Sequence, residues 1–394
     1  MSRAPYWRLS SFYLFYFACV GAWIPYWPLY VQHLGHGALA IGLTGAVFSA
    51  ARIIAPGIWG YLSDASGRRL QVIRHGCFCA FVAILGLIWA RDIWLITLVL
   101  LPFSFFWSAV GPQFEVLTMH YLGHRAANHY GRVRLWGSVG FILAVLCGWL
   151  LFEWVSIARF PWLIAVLLLL LWGSSLAVPS RAASRAQGAD AQGRAGHRIK
   201  QSFRASLMRR HVWVYLLAVV LMQISFGPYY NFFSILLADF GYPLMAVSLF
   251  WLVAIGAEIF VFIYVSRFYR WLGVGNLLLL SMVLTVLRWM ITGAFPDHIA
   301  LLIFAQALHA FSFATFHACM IEQIQRLFPP AQQGRGQALF NSAGYGVGAV
   351  AGALLSGLLW EPLGAALFYL AALVAAVALL MGWLALRHRD FAGS

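Results

Sequence analysis

Long apolar runs, separated by short polar stretches, set the pattern of this chain. A helix needs roughly 20 mostly apolar residues to cross a bilayer. Runs of that length recur at 9–31, 39–62, 71–90, 94–117, 135–156, 158–177, 212–238, 245–265, 275–293, 297–320, 338–360 and 363–386. They predict an all-α integral membrane protein with twelve transmembrane helices. A transmembrane barrel would instead show shorter segments of alternating polarity, and stretches such as Leu163–Trp172 and Leu277–Leu287 do not alternate. The first run follows Arg3 and Arg8, as a signal peptide would. Its length, its Trp and Tyr content and the lack of a small-residue cleavage pattern argue for a span instead.

One stretch breaks the pattern. Residues 178–211 predict a cytoplasmic linker: Pro179 to Lys200 is built of Ala, Arg, Gly, Gln and Ser with almost nothing to bury, and Ser202 to His211 suits a basic amphipathic turn or two on the membrane surface. The linker divides the chain into six-helix bundles at 1–177 and 212–394. The halves repeat one another. Pro25-Tyr26-Trp27 in the first span answers Pro228-Tyr229-Tyr230 in the seventh. A glycine follows each, Gly35 and Gly241, and seventeen residues beyond each glycine sits a charge, Arg52 or Glu258. The stretch from Gly131 to Glu153 likewise echoes Gly336 to Glu361. Parallel repeats of this kind predict a secondary transporter that rocks two bundles around a midplane site.

Composition agrees with the pattern. Hydrophobic residues make up 63% of the chain and charged residues 9%, more apolar surface than a soluble domain of this size can hide. Twenty-two of the 26 Lys and Arg fall on the termini and alternate loops of one side. Arg91 and Arg159 fall on the other side, and Arg52 and Arg288 lie inside spans. That bias predicts both termini in the cytoplasm. It also accounts for the net charge of +15 without nucleic acid, since the basic residues are scattered over loops rather than gathered on one face. The five cysteines lie in or beside spans and suggest neither a disulfide framework nor a metal site. No cofactor is expected. Gly344, Gly348 and Gly352 recur every four residues, but no strand precedes them as a nucleotide site requires. Close helix packing is the better reading.

Four charges interrupt the spans: Arg52, Glu115, Glu258 and Arg288. Ionisable groups inside a bilayer face a partner, a cavity or a transport path. Glu258 can bind a proton when it lacks an arginine partner and release it when one returns; the alternative is a static ion pair. Arg288 cannot lose its charge, so it needs Glu258, another acceptor or an anionic substrate. Arg52 stands at the repeat position of Glu258. Like Arg288 it suits a carboxylate, which a guanidinium grips through two parallel hydrogen bonds; the alternative is packing between helices. Glu115 and Arg134 lie near the cytoplasmic end and fit a substrate contact, a gate or a loop anchor. Pro25, Pro28 and Pro228 free backbone groups beside a cavity. Tyr26 and Tyr229, with Tyr13, Phe17, Trp251 and Trp289, offer ring surfaces to an aromatic solute.

Two motifs carry a resemblance. Gly60-Tyr61-Leu62-Ser63-Asp64-Ala65-Ser66-Gly67-Arg68-Arg69, after the second span, resembles the signature loop of the major facilitator superfamily. In that family the aspartate and the basic residues act as a gate, which implies gating roles for Gly60, Asp64, Gly67, Arg68 and Arg69. Tyr130-Gly131-Arg132-Val133-Arg134-Leu135-Trp136-Gly137-Ser138 is similar to a loop of the 3-phenylpropionate transporter group and, more distantly, of the lactose/proton symporter. Glu258, Leu287-Arg288-Trp289 and Gln306-Ala307-Leu308-His309 add to that likeness. It implies substrate contacts for Glu115 and Arg134, and proton coupling for Glu258, Arg288 and His309. His317 keeps a packing role. One departure stands out: the symporter carries a proton-binding glutamate one turn after the histidine, and here that residue is Ser312.

The expected activity is proton-coupled uptake of a small organic solute, an aromatic carboxylate first, by alternating access. The alternatives are a sugar or nucleoside symporter and a drug or metabolite exporter. An enzyme would show a clustered acid, base or metal site and a sensor a soluble output domain, and neither is evident. The expected partners are the small-molecule substrate, the proton and the lipid bilayer, with no nucleic acid, and the chain is expected to be a monomer.

Overall fold

The computed structural model describes residues 5–123, 126–180, 203–204 and 206–387. Most of the expected linker lies outside the described residues. The chain divides into two compact units, Met1–Ala191 and Gln192–Ser394. Every regular element among the described residues is helical.

The first unit holds α1 (Tyr6–His33), α2 (Ala38–Ser66), α3 (Arg69–Leu85, extended by a 3₁₀ turn to Ile88), α4 (Ile93–Leu122), α5 (Ala126–Trp154) and α6 (Phe160–Ala177). The second holds α7 (Arg210–Asp239), α8 (244–272), α9 (274–294), α10 (Ile299–Leu327), α11 (333–363) and α12 (Leu367–Leu386). By length and apolar content, eleven described helices suffice to cross a membrane. The last of these runs from Gln333 to Leu386 and takes in both α11 and α12. Gly364, with φ +50°, breaks the backbone between them just after Pro362. The polar stretch after 265, expected to be a loop, instead continues α8. The helix runs on to Gly273, whose φ of +72° ends it. Only glycine takes that conformation without steric cost.

The helix ends explain why the repeat is visible in sequence. Gly35 and Gly241 both adopt positive φ, +84° and +79°. In both cases the next amide reaches back five residues, His36 N to Val31 O (3.4 Å) and Tyr242 N to Leu237 O (2.9 Å). That is the same glycine-dependent C-terminal cap, used once in each unit. Asp92 caps α4 by accepting from Trp94 N at 2.9 Å. Arg74 of α3 closes the far end of α6, donating to the carbonyls of Ser175 (3.2 Å), Leu176 (3.1 Å) and Val178 (2.8 Å). These carbonyls carry the negative end of the helix dipole and have no partners within the helix.

Small residues let particular helix pairs approach closely. In the first unit a Cβ on Gly21 would sit 2.6 Å from Phe141 O, and one on Gly140 would overlap Leu14 O, so α1 and α5 meet backbone to backbone. In the second unit α7 and α11 do the same. A Cβ at Gly344, Gly348 or Gly352 would meet Val219 Cγ1 at 2.9 Å, Val220 O at 2.8 Å or Ile224 O at 2.8 Å. The four-residue glycine spacing is therefore a packing stripe, as expected. Trp27 of α1 donates to Thr44 of α2 (3.2 Å), and Trp251 of α8 donates to Ser234 of α7 (3.0 Å). Each bond joins the first two helices of its unit.

Candidate functional site

The first unit contains a cavity of about 220 Å³ among α1, α4 and α5, lined by Tyr13, Tyr16, Phe17, Phe114, Glu115 and Arg134 with the backbone at Gly111. The Arg134 guanidinium lies over the Phe17 ring, 3.7 Å from its centre, and 5.6 Å from that of Tyr13. It forms no hydrogen bond among the described residues, so its donors remain available. Stacking on a ring orients the planar fork and suits it to gripping a planar anion. Across the cavity Tyr130 donates to Glu115 Oε1 at 2.9 Å, and Tyr13 donates to Thr118 at 3.4 Å. Tyr16 stacks flat on Trp107, with ring centres 4.6 Å apart and planes 4° from parallel. A Cβ on Gly111 would stand 2.5 Å from the Tyr16 hydroxyl, so this glycine makes room for the ring. The cavity is thus walled by rings and carries one guanidinium and one carboxylate.

The second unit gathers a polar cluster in its interior. Arg288 of α9 is fully buried. Its Nη1 lies 2.9 Å from His309 Nδ1 and donates to Ser312 Oγ at 3.1 Å, and its Nη2 reaches Gln306 Oε1 at 3.4 Å. A guanidinium only donates. His309 Nδ1 therefore accepts, and the neutral ring carries its proton on Nε2. Tyr229 also donates to Gln306 Oε1, at 3.0 Å, and the guanidinium sits 4.0 Å from the Tyr229 ring centre and 4.5 Å from that of Trp289. Two buried donors, Arg288 Nε and Gln306 Nε2, find no acceptor among the described residues. Glu258 on α8 is half-buried and close enough to Tyr229 and Tyr230 to act on both electrostatically. Directly after His309 the backbone widens into a π-helix, Ala310–Thr315, and α11 contains another at Ser342–Gly348. Such segments recur at functional sites.

The expected site residues therefore fall into two groups. Glu115 and Arg134 share the cavity of the first unit. Arg288, His309 and Tyr229 share the cluster of the second, with Glu258 beside it. Arg52 is exposed on α2, 5.4 Å from the Phe48 ring centre, and its charge reaches Tyr16 electrostatically. Tyr26 stands apart from both groups. Its ring is fully buried, its hydroxyl donates to Val145 O at 2.5 Å, and a Cβ on Gly148 would strike it. In this structure Tyr26 locks α1 to α5. In the signature loop Asp64 pairs with Arg69 at 2.5 Å. Gly67 ends α2 at φ +66°, which explains a glycine there. The Arg68 amide donates to Ser66 Oγ at 3.3 Å, and Gly60 faces Gln113 of α4, where a Cβ would make only an ordinary contact at 3.9 Å.

Comparison with known proteins places this geometry. Residues 6–371 match the sequence model of the family described as MFS_1 like. The chain belongs to the MFS_1-like family. A probable 3-phenylpropionic acid transporter of Escherichia coli (strain K12) is 29% identical, over 95% of this chain and 96% of that protein. A maltose permease of Geobacillus stearothermophilus is 27% identical, over 90% and 88%. Among solved structures, a point mutant of the nucleoside transporter NupG superposes with a TM-score of 0.85 at 17% identity, covering 97% of this chain and 98% of that one. A bacterial homologue of the iron transporter ferroportin superposes at 0.69 with 15% identity, covering 97% of this chain and 98% of that one. This MFS_1-like protein is a multi-pass membrane transporter and not an enzyme.

Several features of its two groups escape sequence reading. Tyr16 becomes a cavity residue only through the packing of α1 against α4 and α5, and Tyr130 reaches the cavity's Glu115 only through the same packing. The π-helical segments have no periodic signature. His317, expected to pack, lies 2.8 Å from the Tyr345 hydroxyl through its Nδ1 and stacks with Phe313. It thereby joins α10 to the π-helical part of α11. Ser312, the departure from the symporter pattern, proves to be a hydrogen-bond acceptor for Arg288.

Proposed function

We propose that this chain imports a small aromatic carboxylate together with a proton. In this reading it crosses a bacterial inner membrane twelve times, with both termini in the cytoplasm and a six-helix bundle on each side of the linker. The observation that carries the substrate assignment is the ring-walled cavity of the first unit, with a guanidinium that spends no hydrogen bond. Its volume lies below the roughly 300–1,000 Å³ typical of sites for drug-sized ligands, which favours a solute with a single ring. Tyr13, Tyr16, Phe17 and Phe114 supply faces for that ring. Arg134 takes the carboxylate, and Arg52 adds positive potential at Tyr16.

Proton coupling belongs to the second unit. Glu258 is the proton carrier. When it is ionised, the unpartnered donors of Arg288 and Gln306 give its carboxylate a place to go. When it is protonated, Arg288 returns to the neutral acceptors His309, Ser312 and Gln306. Two alternative partner sets for one buried guanidinium are the switch that alternating access needs. Asp64 and Arg69 act in the gate.

One observation favours a second reading. Glu115 lies in the same cavity as Arg134, and a carboxylate there suits the hydroxyl groups of a sugar or nucleoside better than a carboxylic acid. Uptake of labelled 3-phenylpropionate into proteoliposomes, with and without an inward proton gradient, separates the two. Gradient-driven accumulation supports the aromatic acid. Accumulation of a monosaccharide or nucleoside, with no phenylpropionate uptake, replaces it.

A further inference from the structure

A second cavity, of about 700 Å³, lies at the arginine-rich end of the second unit, where α7 begins and α12 ends. Arg209, Arg210 and Arg387 line it, with His211, Val214 and Leu384. No acidic residue is among its described lining. The guanidinium groups of Arg210 and Arg387 bring two like charges to one cavity, which favours an anion between them. The backbone adds to the field. Arg209 is the N-cap of α7 in extended conformation and its side chain makes no capping hydrogen bond, and the positive end of the helix dipole lies in the same region.

The cavity is graded along the helix axes. Val214 is one turn deeper than Arg210 on α7, and Leu384 is about one turn deeper than Arg387 on α12. The basic groups therefore sit at the helix ends and the apolar wall lies toward the helix middles. Trp213 and Trp383, both exposed, mark the same depth, and Arg387 lies 3.4 Å over the Trp383 ring centre. Exposed tryptophan beside arginine at helix ends is the signature of the membrane–water interface. The lysine and arginine bias puts this end on the cytoplasmic side, where anionic lipids are met.

We propose that this cavity holds the headgroup of an anionic phospholipid. The phosphate is gripped by Arg210 and Arg387, and an acyl chain runs down past Val214 and Leu384. Free phosphate would use the arginines but leave the apolar wall empty, which is why a lipid is the better occupant.

The test uses the full chain purified in detergent. Lipids retained on the protein are counted by native mass spectrometry after titration with cardiolipin, phosphatidylglycerol, phosphatidylcholine or inorganic phosphate. Anionic lipid should be retained in preference to phosphatidylcholine. The double variant Arg210→Gln/Arg387→Gln should weaken that retention about 10- to 100-fold, the loss expected when charge-assisted hydrogen bonds are removed. Arg267→Gln/Arg270→Gln removes the same charge elsewhere in the unit and should leave retention within a few-fold. Leu384→Trp, at an exposed position, keeps every charge but fills the apolar wall, and should also reduce lipid retention. Equal retention of phosphatidylcholine, equal loss in the two double variants, or inorganic phosphate competing fully with lipid would each overturn the proposal. Should the first double variant fail to fold, Leu384→Trp and the lipid series still decide it.

Discussion

At the residue scale, the most consequential side chains are the two arginines that place a guanidinium among the rings of their unit. Arg134 is held by rings and keeps its donors; Arg288 spends its donors on neutral groups. If Arg134 grips the substrate carboxylate, Arg134→Gln removes charge-assisted hydrogen bonds worth about 1.5–3 kcal/mol. The half-saturating concentration of 3-phenylpropionate should then rise roughly 10- to 100-fold. Binding of the neutral analogue 3-phenylpropanol should change little, because it never used the charge. Competition binding with both compounds reads the difference, and an equal loss for the two would assign Arg134 to structure. Arg288 predicts a stability effect instead. Ser312 Oγ accepts from it at 3.1 Å in a fully buried setting, so Ser312→Ala should cost on the order of 1–3 kcal/mol. Thermal unfolding in detergent measures this. Ser312→Thr retains the hydroxyl and should recover most of the loss; an unchanged midpoint for Ser312→Ala would mean that the guanidinium finds another acceptor at no cost.

At the element scale, the glycines of α5, α7 and α11 decide how closely helices approach. A methyl group on Gly140 would overlap the carbonyl of Leu14, and backbone atoms cannot rotate away. Gly140→Ala should therefore separate α1 from α5 and destabilise the first unit by about 1–3 kcal/mol, the usual cost of overpacking. Gly173 of α6 provides the control. Nothing stands within 4 Å of a Cβ there, so Gly173→Ala should be neutral or stabilising by up to about 1 kcal/mol, as alanine is the better helix former. If the two variants unfold at the same temperature, the close approach carries no energetic weight. These elements also show what was legible in the chain. The apolar runs located the helices because membrane-length hydrophobicity leaves few alternatives, and the Gly344–Gly352 spacing announced a packing face. Gly35 and Gly241 were readable as a repeat because both terminate a helix with the same left-handed cap. The continuation of α8 to Gly273 was not readable. A polar, aromatic stretch such as Ser266–Arg270 looks like a loop, although it is equally compatible with a helix end that extends beyond the bilayer. The cavity beside Arg134 was half legible. Its charges stand out in an apolar sequence, whereas Tyr16 and Trp107 are two aromatics among many until tertiary packing stacks them. Tyr26 was legible only in part: a tyrosine beside a helix-breaking proline stands out in the sequence, whereas the bond from its hydroxyl to Val145 appears only in the packed structure.

At the scale of the whole molecule, the question is whether the two groups work as one cycle. Substrate chemistry is assigned to the first unit and proton chemistry to the second, so a variant that disables only the proton step should leave substrate handling intact. Glu258 is the residue to change. Glutamine keeps its size and hydrogen-bonding capacity and removes the ability to gain and lose a proton. A transporter with permanently neutral Glu258 should still bind substrate and turn over with substrate on both sides, since exchange needs no net proton movement. It should lose uphill accumulation, which does. Glu258→Gln proteoliposomes should therefore keep counterflow within a few-fold of the parent protein and show no concentrative uptake under an inward proton gradient. One proton moved with one carboxylate carries no net charge, so the pH difference is the driving force; each unit of it supplies about 1.4 kcal/mol, equivalent to about a tenfold gradient of the solute, so the loss is easily resolved. Loss of both activities would make Glu258 a structural partner of its unit rather than the coupling group. Undiminished uphill uptake would move the proton site elsewhere, and His309 would be the next candidate because its Nε2–H is not committed to Arg288.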